Sequence, residues 1–333
     1  MILVTGGTGL VGSHLLYYLS LKNEKIRAVF RTEEKREHVK KIFSFYTNNV
    51  QQYFSKIEWV QADITDVPSL EPVFNNITRV YHCAALVSFN PKDYRKMRQV
   101  NIDGTANLVN LALDKNIKKF CFVSSIATVG DTINDKPINE ENEWLDSNDN
   151  HGYAITKYGA EMEVWRGSQE GLNVVIVNPG IILGGGFWHE GSGKMFTQID
   201  NNLKFYTEGV TGFVGVDDVV KAMINLMDSN IKNERFILVS ENKSFKDVLF
   251  TIADSLHKKR PSKKVGKLIT SIFWRIDWFL TVLTGKEPLL TKSSAKSAHN
   301  KSFYSSKKIT KQLNFKFEPI DTVILNITKE FQK

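Results

Sequence analysis

The chain has 333 residues, of which 42% are apolar and 24% charged, and these values exclude a disordered or fibrous protein. Its net charge of +8 is unevenly distributed, because residues 1–240 carry 25 Lys and Arg against 28 Asp and Glu, whereas residues 241–333 carry 19 against 8. No recognised nucleic-acid-binding motif accompanies the basic C-terminal quarter. We therefore expect a solvated basic face and no nucleic-acid partner, while contact with a membrane surface or an anionic substrate stays open.

The two cysteines, Cys83 and Cys121, lie in apolar, strand-like runs and are expected to be reduced core residues. The first predicted strand starts at the first residue, which leaves no room for a signal peptide. The longest apolar stretch, 268–283, is interrupted by Arg275 and Asp277 and is too short to span a bilayer. These observations favour a cytoplasmic protein without a transmembrane segment or a metal site, and a homodimer stays open.

In chain order, short apolar runs alternate with helical patterns, as in a parallel sheet whose strands are joined by right-handed crossovers. The predicted strands are Met1–Thr5, Ile26–Phe30, Ile57–Gln61, Arg79–Cys83, Lys119–Ser124 and Asn173–Asn178. Predicted helices include Leu10–Lys22, Asp93–Lys115 and Tyr153–Glu170. Residues Glu33–Phe54 predict a long helix or a helix pair, and the polar stretch Asp131–Asn150 predicts a surface loop near the functional site.

Six such strands indicate an α/β fold with a doubly wound parallel sheet, which we expect over residues 1–180 as a dinucleotide-binding domain. A helix at Val216–Met227 and a strand at Arg235–Val239 are expected to return to that domain. The rest of residues 181–333 predicts mostly a smaller substrate-binding lobe. Its aromatic residues could form an apolar pocket or belong to an ordinary core, and they are Phe187, Trp188, Phe205, Phe213, Phe273, Trp274 and Trp278.

A glycine-rich loop, Thr5-Gly6-Gly7-Thr8-Gly9-Leu10-Val11-Gly12, lies between the first predicted strand and the first predicted helix. The G-x-x-G-x-x-G spacing in this position is typical of a dinucleotide-binding site, because the glycines permit a tight turn, close approach of a pyrophosphate, and packing of helix on strand. The pyrophosphate would meet free N–H groups at the helix N-terminus. The expected cofactor-binding residues of the loop are Gly6, Thr8, Gly9, Leu10, Val11 and Gly12.

The second strand ends at Phe30-Arg31, where an Asp or Glu would favour NAD by accepting hydrogen bonds from the adenosine ribose. Arg31, with Lys35 and Arg36 one turn later, could instead bind a 2′-phosphate through charge-assisted hydrogen bonds. Two neighbouring glutamates weaken this interpretation. The sequence therefore favours NADP over NAD and leaves NAD open.

Tyr153 and Lys157 are four residues apart on a predicted helix and so share one face. A lysine ammonium within a few ångströms would lower the pKa of the tyrosine, making it a usable acid or base. Two other Tyr/Lys pairs have this spacing, but only Tyr153 follows the fifth strand, which leads into Ser124-Ser125. We expect Ser125 to polarise a carbonyl while Tyr153 transfers the proton, although a serine at a strand end also suits local backbone capping.

Together these motifs resemble the extended short-chain dehydrogenase/reductase family, which has a Rossmann fold and includes NAD-dependent epimerases and dehydratases. The resemblance covers about residues 1–230. The matching segments are the glycine loop, Ala62-Asp63-Ile64, His82-Cys83-Ala84-Ala85, Asn101-Ile102-Asp103-Gly104-Thr105, Ser124-Ser125, Tyr153 to Lys157, Asn178-Pro179-Gly180 and Val216-Asp217-Asp218-Val219.

The resemblance implies roles for individual residues. Asp63 and Ile64 would contact the adenine, and Ala84 and Ala85 would line the nicotinamide side. Lys157 would also hold the nicotinamide ribose. The segment at Pro179 and Gly180 would wrap the carboxamide end of the cofactor.

The run around Cys83 is similar to the branch of the family that contains the dihydroflavonol reductases and 3β-hydroxysteroid dehydrogenases, since epimerases usually have Asn at this place. This similarity implies an NAD(P)-dependent oxidoreductase acting on an apolar or aromatic carbonyl/alcohol small molecule. A sugar-nucleotide epimerase or dehydratase is the first alternative. A nucleotide-sensing protein without catalysis is the second, against which the intact Ser125, Tyr153 and Lys157 argue.

Overall fold

The computed structural model of the chain describes residues 1–132, 136–145, 151–284 and 291–333. Its strands are β1 (Ile2–Thr5), β2 (Ile26–Phe30), β3 (Ile57–Gln61), β4 (Arg79–His82), β5 (Lys119–Val123), β6 (Val174–Pro179), β7 (Ile181–Leu183), β8 (Phe205–Tyr206), β9 (Val210–Gly215), β10 (Glu234–Leu238), β11 (Glu241–Ser244) and β12 (Lys263–Lys264). Its α-helices are α1 (Leu10–Ser20), α2 (Glu33–Phe43), α3 (Val50–Phe54), α4 (Val67–Leu70), α5 (Tyr94–Met97), α6 (Gly104–Asp114), α7 (Gly152–Gln169), α8 (Lys194–Asp200), α9 (Val216–Asp228), α10 (Phe245–Ser255), α11 (Lys267–Thr284), α12 (Lys292–Ser297), α13 (Lys307–Leu313) and α14 (Ile320–Phe331).

A seven-stranded parallel sheet in the order β10-β6-β5-β4-β1-β2-β3 forms the centre of the molecule. Both faces of the sheet are covered, because successive residues of β1 point to opposite sides: Ile2 and Val4 pack in one hydrophobic cluster, and Leu3 packs in the other. The predicted doubly wound α/β fold is confirmed. The strand order reverses between β1 and β4, so the ligand crevice of such a sheet lies at their carboxyl ends.

Two predicted helical segments have a more detailed structure than their apolar spacing indicates. Residues 33–54 form a helix pair, α2 and α3. The predicted helix Asp93–Lys115 is interrupted by a π-helical turn, Arg98–Asp103. Asn101 in this turn is buried, and its Oδ1 accepts a hydrogen bond of 2.7 Å from the backbone N–H of Leu86. The apolar periodicity of the segment is compatible with either helix type and did not reveal the turn.

The part of the chain after β6 adds two small sheets and a third core. Strands β11, β9 and β7 form one sheet, and β12 pairs with β8 in the other, while β10 returns to the edge of the central sheet beside β6. Helices α8, α10 and α14 bury a separate apolar cluster that includes Phe196, Phe213 and Ile324. Among the described residues, no helix is both long and apolar enough to cross a membrane.

Residues 131–150 are predicted as a surface loop, and tertiary contacts hold those residues of the stretch that the structure describes. Ile138 is buried and forms a bridge with Tyr304. The guanidinium of Arg235, on β10, donates hydrogen bonds to the carbonyl oxygens of Glu140 and Asn142 at 2.7 and 3.0 Å. The acidic, polar composition of this stretch therefore did not indicate that it contacts the edge of the sheet. Residues 133–135 and 146–150 lie outside the described parts.

Candidate active site

The glycine loop turns sharply between β1 and α1. Gly6 has a φ of +69°, and a Cβ atom at this position would lie 2.4 Å from the backbone nitrogen of Ala84, after β4. A Cβ at Gly12 would lie 2.1 Å from the carbonyl oxygen of Gly6. These two positions thus have no space for a side chain, which agrees with the turn and the helix–strand packing expected of them.

The start of α1 leaves backbone donors available next to this turn. Gly9 is the N-cap residue and provides no side-chain cap, and its own N–H donates to the carbonyl oxygen of Gly6 at 3.0 Å. The N–H groups of the first helical turn have no intrahelical acceptor. Together with the positive end of the helix dipole, they fit a pyrophosphate. Thr8 and Leu10 are half-buried and Val11 is buried, so the backbone rather than the side chains faces this space.

At the end of β2, Arg31 lies beside the predicted adenine-contacting residue. Its Nη1 is 4.0 Å from Oδ2 of Asp63, and both side chains are exposed. Burial opposes ionisation of Asp63, but two hydrogen bonds from Thr65 and the charge of Arg31 outweigh it and lower the pKa of the carboxyl. An arginine and a carboxylate thus stand together where the adenosine half of a dinucleotide would lie.

The other residues predicted to contact the adenosine half of the cofactor have different environments. Lys35 is exposed, whereas Nη2 of Arg36 is held by Glu33 at 2.7 Å and by Glu37 at 3.2 Å. Ile64 is buried in the core against Gly104, where a Cβ would lie 2.8 Å from its Cδ1. Its side chain therefore packs inward.

The residues predicted to surround the nicotinamide end lie at the carboxyl ends of β4 and β6. Ala84 is half-buried beside the glycine loop and Ala85 is exposed. Pro179 is buried at the end of β6, and the N–H of Gly180 donates to the carbonyl oxygen of Leu238 at 3.0 Å. The crevice at the switch point thus has the glycine loop on one side and these two segments on the other.

Ser125 and Tyr153 come together in this crevice. Ser125 begins a short 3₁₀ turn, and its Oγ accepts a hydrogen bond of 3.1 Å from the N–H of Ala127. Burial raises the pKa of Tyr153, and a hydrogen bond with Ser125 opposes the rise. Ser125 therefore both caps the turn, as its position at a strand end allows, and contacts the tyrosine.

Lys157 is on the same face of α7 as Tyr153, but the structure does not support the expected lowering of the tyrosine pKa by this lysine. The amine of Lys157 donates to the carbonyl oxygen of Val123 at 2.7 Å and lies 4.3 Å from the ring centre of Phe122. Burial lowers the pKa of Lys157 to about 7, and Glu161 opposes this effect. The expectation failed because helical spacing places two side chains on one face without specifying where the longer one ends.

Glu161 completes the same helix face and was missed in the sequence. Its side chain has no exposed surface, and its Oε2 accepts hydrogen bonds from Ser124 at 2.5 Å, Thr128 at 2.7 Å and Asn178 at 2.9 Å. Its other oxygen lies 3.3 Å from Nη1 of Arg235. Glu161 therefore holds the turn that contains Ser125, and its position four residues after Lys157 was the available signal.

Aromatic side chains lie next to Tyr153, and they were also missed in the sequence analysis. The ring of Phe89 is 5.9 Å from that of Tyr153 and 5.4 Å from that of His151, and His151 stacks on Tyr153 with ring centres 6.0 Å apart. Phe89 is 45% exposed. An apolar side chain beside the hydroxyl pair thus faces solvent.

Among the side chains that the structure describes, the aromatic residues considered for a pocket in the C-terminal lobe do not form one. Phe213 is fully buried against Phe245, Trp188 packs on Phe331, and Phe187 contacts His38. The others are also dispersed: Phe205 is on β8, while Phe273 and Trp274 are on α11, and the side chain of Trp278 lies outside the described part. Composition could not separate core residues from pocket residues here.

Comparisons with known proteins agree with this geometry. A family model described as the NAD-dependent epimerase/dehydratase family matches residues 2–238. Sterol demethylase protein B from Methylococcus capsulatus is 28% identical over 263 residues, covering 78% of this chain and 75% of the relative. Anthocyanidin reductase from Arabidopsis thaliana is 28% identical over 291 residues, covering 79% and 81%. The structure of UDP-glucose 4-epimerase from Thermotoga maritima superposes with a TM-score of 0.78 at 18% identity, covering 99% and 98%, and this likeness concerns the fold.

Proposed function

Because the chain belongs to the NAD-dependent epimerase/dehydratase family, we propose that it transfers a hydride reversibly between NADP(H) and an apolar or aromatic carbonyl/alcohol pair. Membership makes it an enzyme of the extended short-chain dehydrogenase/reductase type, and its relatives include reductases and epimerases. The observation that carries the choice of reaction is the contact of Ser125 with Tyr153 beside an exposed aromatic side chain, Phe89.

Ser125 and Tyr153 have complementary roles in this reaction. Oγ of Ser125 accepts a hydrogen bond from Ala127, and its hydroxyl proton, which meets Tyr153 here, can be donated to a carbonyl oxygen bound between the two side chains. Tyr153 is positioned to deliver a proton to the same oxygen. Reduced nicotinamide supplies the hydride when it is bound. We propose that Lys157, whose amine donates to the carbonyl oxygen of Val123 here, also holds the nicotinamide ribose.

The exposed apolar side chains beside Tyr153 favour an apolar substrate over a sugar nucleotide. Phe89 presents an exposed ring there, and the neighbouring Val87 is exposed as well. Aromatic rings bind apolar and aromatic groups by excluding water from both surfaces. A diphosphate requires cationic or backbone donors in its place.

Replacing the proton donor tests the assignment. In Tyr153→Phe, carbonyl reduction should fall about 10²–10⁴-fold, because the general acid is lost. The dissociation constant for NADPH, measured by fluorescence titration, should stay within about twofold of the wild-type value, since no cofactor contact is assigned to the hydroxyl. Full activity in this variant would refute the proposed chemistry, whereas loss of NADPH binding would show that the hydroxyl of Tyr153 contacts the cofactor.

For the cofactor, we propose NADP with Arg31 as the main contact to the 2′-phosphate. Arg31 is exposed and borders Asp63, whereas Arg36 is already engaged by two glutamates and Lys35 is a solvated side chain. Arg31→Ala should therefore weaken NADPH binding at least about tenfold and leave NADH binding nearly unchanged. Arg36→Ala is the matched control and should have the smaller effect. Equal affinities of the wild-type protein for NADPH and NADH would reject the preference.

The remaining assignments are proposals of the same kind. We propose a small-molecule substrate and a cytoplasmic location, which the free thiols of Cys83 and Cys121 support. We also propose that residues 1–180, with α9 and β10, bind the cofactor and that the rest of residues 181–333 selects the substrate. A homodimer stays open.

A further inference from the structure

Helix α11 presents an apolar stripe to solvent. Five of its large apolar side chains are between 48% and 82% exposed, namely Leu268, Ile269, Ile272, Phe273 and Ile276. Successive residues of an α-helix turn by about 100°, so these positions fall within one continuous arc of about 140°. They form a single surface, which we call the α11 stripe.

Two polar side chains of α11 face inward while its apolar stripe faces outward, which reverses the usual arrangement. Thr270 and Thr281 are only 5% and 8% exposed, and Oγ1 of Thr270 shares a hydrogen bond of 2.7 Å with Nε2 of His299. The helix packs mainly on α12, which is a polar segment. A surface helix of a globular protein normally turns its apolar face to the core. The α11 stripe is therefore left uncovered by the described parts of this chain.

The segment around this stripe is strongly basic. Residues 258–301 contain eleven Lys and Arg against two Asp and Glu. Lys263 and Lys267 are exposed just before and at the start of α11. Some of the neighbouring cations form ion pairs, such as Lys264 with Glu208 at 2.5 Å, but these pairs are exposed and neutralise only part of the charge.

The charge distinguishes between the possible occupants of the stripe. A second copy of the chain would bring an identical cationic segment to a symmetric interface, where the two would repel each other. An anionic surface attracts the same segment, and an exposed apolar stripe next to a lysine-rich segment is typical of helices that lie in the plane of a membrane interface. α11 does not meet the requirements for crossing a bilayer, so only surface binding fits.

We propose that α11, together with the basic segment that precedes it, binds the surface of an anionic lipid bilayer. The α11 stripe enters the boundary between headgroups and acyl chains, while Lys263 and Lys267 lie among the anionic headgroups. This inference does not depend on the reaction proposed above, because it uses none of the residues of the candidate active site.

Flotation of the full-length protein with lipid vesicles tests the proposal. Vesicles of phosphatidylcholine with about 30% phosphatidylglycerol should bind the protein, and vesicles of phosphatidylcholine alone should bind it at least about tenfold more weakly. Raising the salt concentration to about 0.5 M should weaken binding to the anionic vesicles, since it screens the lysines.

Variants test the contributions of the α11 stripe and of the lysines separately. Ile272→Asp with Phe273→Asp should abolish vesicle binding, because it places charges in the stripe. Lys263→Glu with Lys267→Glu should weaken binding at least about tenfold and reduce its dependence on salt. Leu325→Asp is the matched control, since Leu325 is 49% exposed on α14, and it should bind as the wild type does. Thermal unfolding of each variant checks that the outward-facing substitutions leave the fold intact.

Three results would overturn the proposal. The first is failure of the folded wild-type protein to bind anionic vesicles. The second is equal binding by the Leu325→Asp and Ile272→Asp/Phe273→Asp proteins. The third is a dimer in sedimentation velocity without lipid that the Ile272→Asp/Phe273→Asp substitutions dissociate, which would identify a second copy as the occupant.

Discussion

Tyr153 holds its proton more tightly than a tyrosine in water does, because burial raises its pKa and the hydrogen bond with Ser125 offsets only part of that rise. A protonated phenol is ready to donate to a carbonyl oxygen, as reduction requires. Oxidation of an alcohol requires the phenolate as the base. The environment of this one residue therefore favours reduction near neutral pH.

This asymmetry predicts different pH profiles for the two directions. Between about pH 8 and about pH 9.5, above the pKa of about 7 of Lys157, the rate of carbonyl reduction should change little, because Tyr153 stays protonated. The rate of alcohol oxidation should rise by up to about tenfold per pH unit as the phenolate fraction grows. Steady-state assays with saturating cofactor measure both. Oxidation that is independent of pH over this range would contradict the raised pKa.

At the scale of the element, helix α7 organises the site. Tyr153, Lys157 and Glu161 recur at intervals of four residues, which places them along one face that looks onto β5 and β6. The sequence revealed the first two because their chemistry is recognisable by itself. Glu161 acts only through partners distant in the chain, such as Asn178 and Arg235, and helical spacing cannot identify such partners.

Removing the charge of Glu161 tests this organisation. Glu161→Gln places an amide against the donors of Ser124 and Thr128 and removes the carboxylate that pairs with Arg235. We expect a loss of about 3–5 kcal/mol in the free energy of unfolding, as for other broken buried pairs, together with a lower kcat because the Ser125 turn is no longer held.

The matched control lies on the same helix. Glu163 forms an exposed pair with Arg166 at 2.9 Å, so Glu163→Gln should cost less than about 1 kcal/mol. Urea unfolding of both variants gives the comparison. Equal losses in the free energy of unfolding for the two substitutions would show that the buried network around Glu161 contributes no more to stability than the Glu163–Arg166 pair does.

At the scale of the whole molecule, the last helix, α14, returns to the first part of the chain. Glu330 on α14 lines a small cavity with His14, Tyr46 and Asp217. Tyr46 donates a hydrogen bond to Asp217 at 2.6 Å. Burial and the charge of Asp217 raise the pKa of Glu330 to about 7, and Lys333 opposes the rise. The C-terminus is thus docked through a carboxyl group that prefers its neutral form.

This contact predicts a dependence of stability on pH. The unfolded chain loses the proton of Glu330 near the ordinary pKa of 4.5, whereas the folded protein keeps it up to about 7, so the contribution of Glu330 to stability falls as pH rises through that window. His14 acts in the opposite direction, because burial lowers its pKa from 6.5 to about 4 and its contribution to stability therefore rises with pH between those values. The contribution of Glu330 is consequently obtained as the difference between the wild-type and Glu330→Gln profiles. Glu330→Gln should remove this part of the pH dependence in urea unfolding, and Glu163→Gln should retain it. A profile unchanged in Glu330→Gln would exclude the contact as its source.

The fold was largely predictable from the sequence because its signals are local. Buried strands, the glycine turn at Gly6 and the helix face of Tyr153 each depend on a few neighbouring residues. The arrangement of the lobe after β6 was not predictable in the same way. Phe213 and Phe273 look alike in the sequence, but one is fully buried and the other lies on an outward-facing stripe, and only the tertiary packing decides between these environments.

Hydride transfer to a substrate is the central claim, and the fate of an isotopic label tests it most directly. NADPH carrying deuterium at the transferable C4 position would be incubated with the protein and a panel of apolar and aromatic aldehydes and ketones, with Tyr153→Phe as the control. We expect one deuterium in each alcohol formed, an equal loss of NADPH, and at least about 100-fold less labelled product with the variant. Epimerisation of nucleotide sugars with no net cofactor consumption, and no reduction of any carbonyl in the panel, would contradict the central claim.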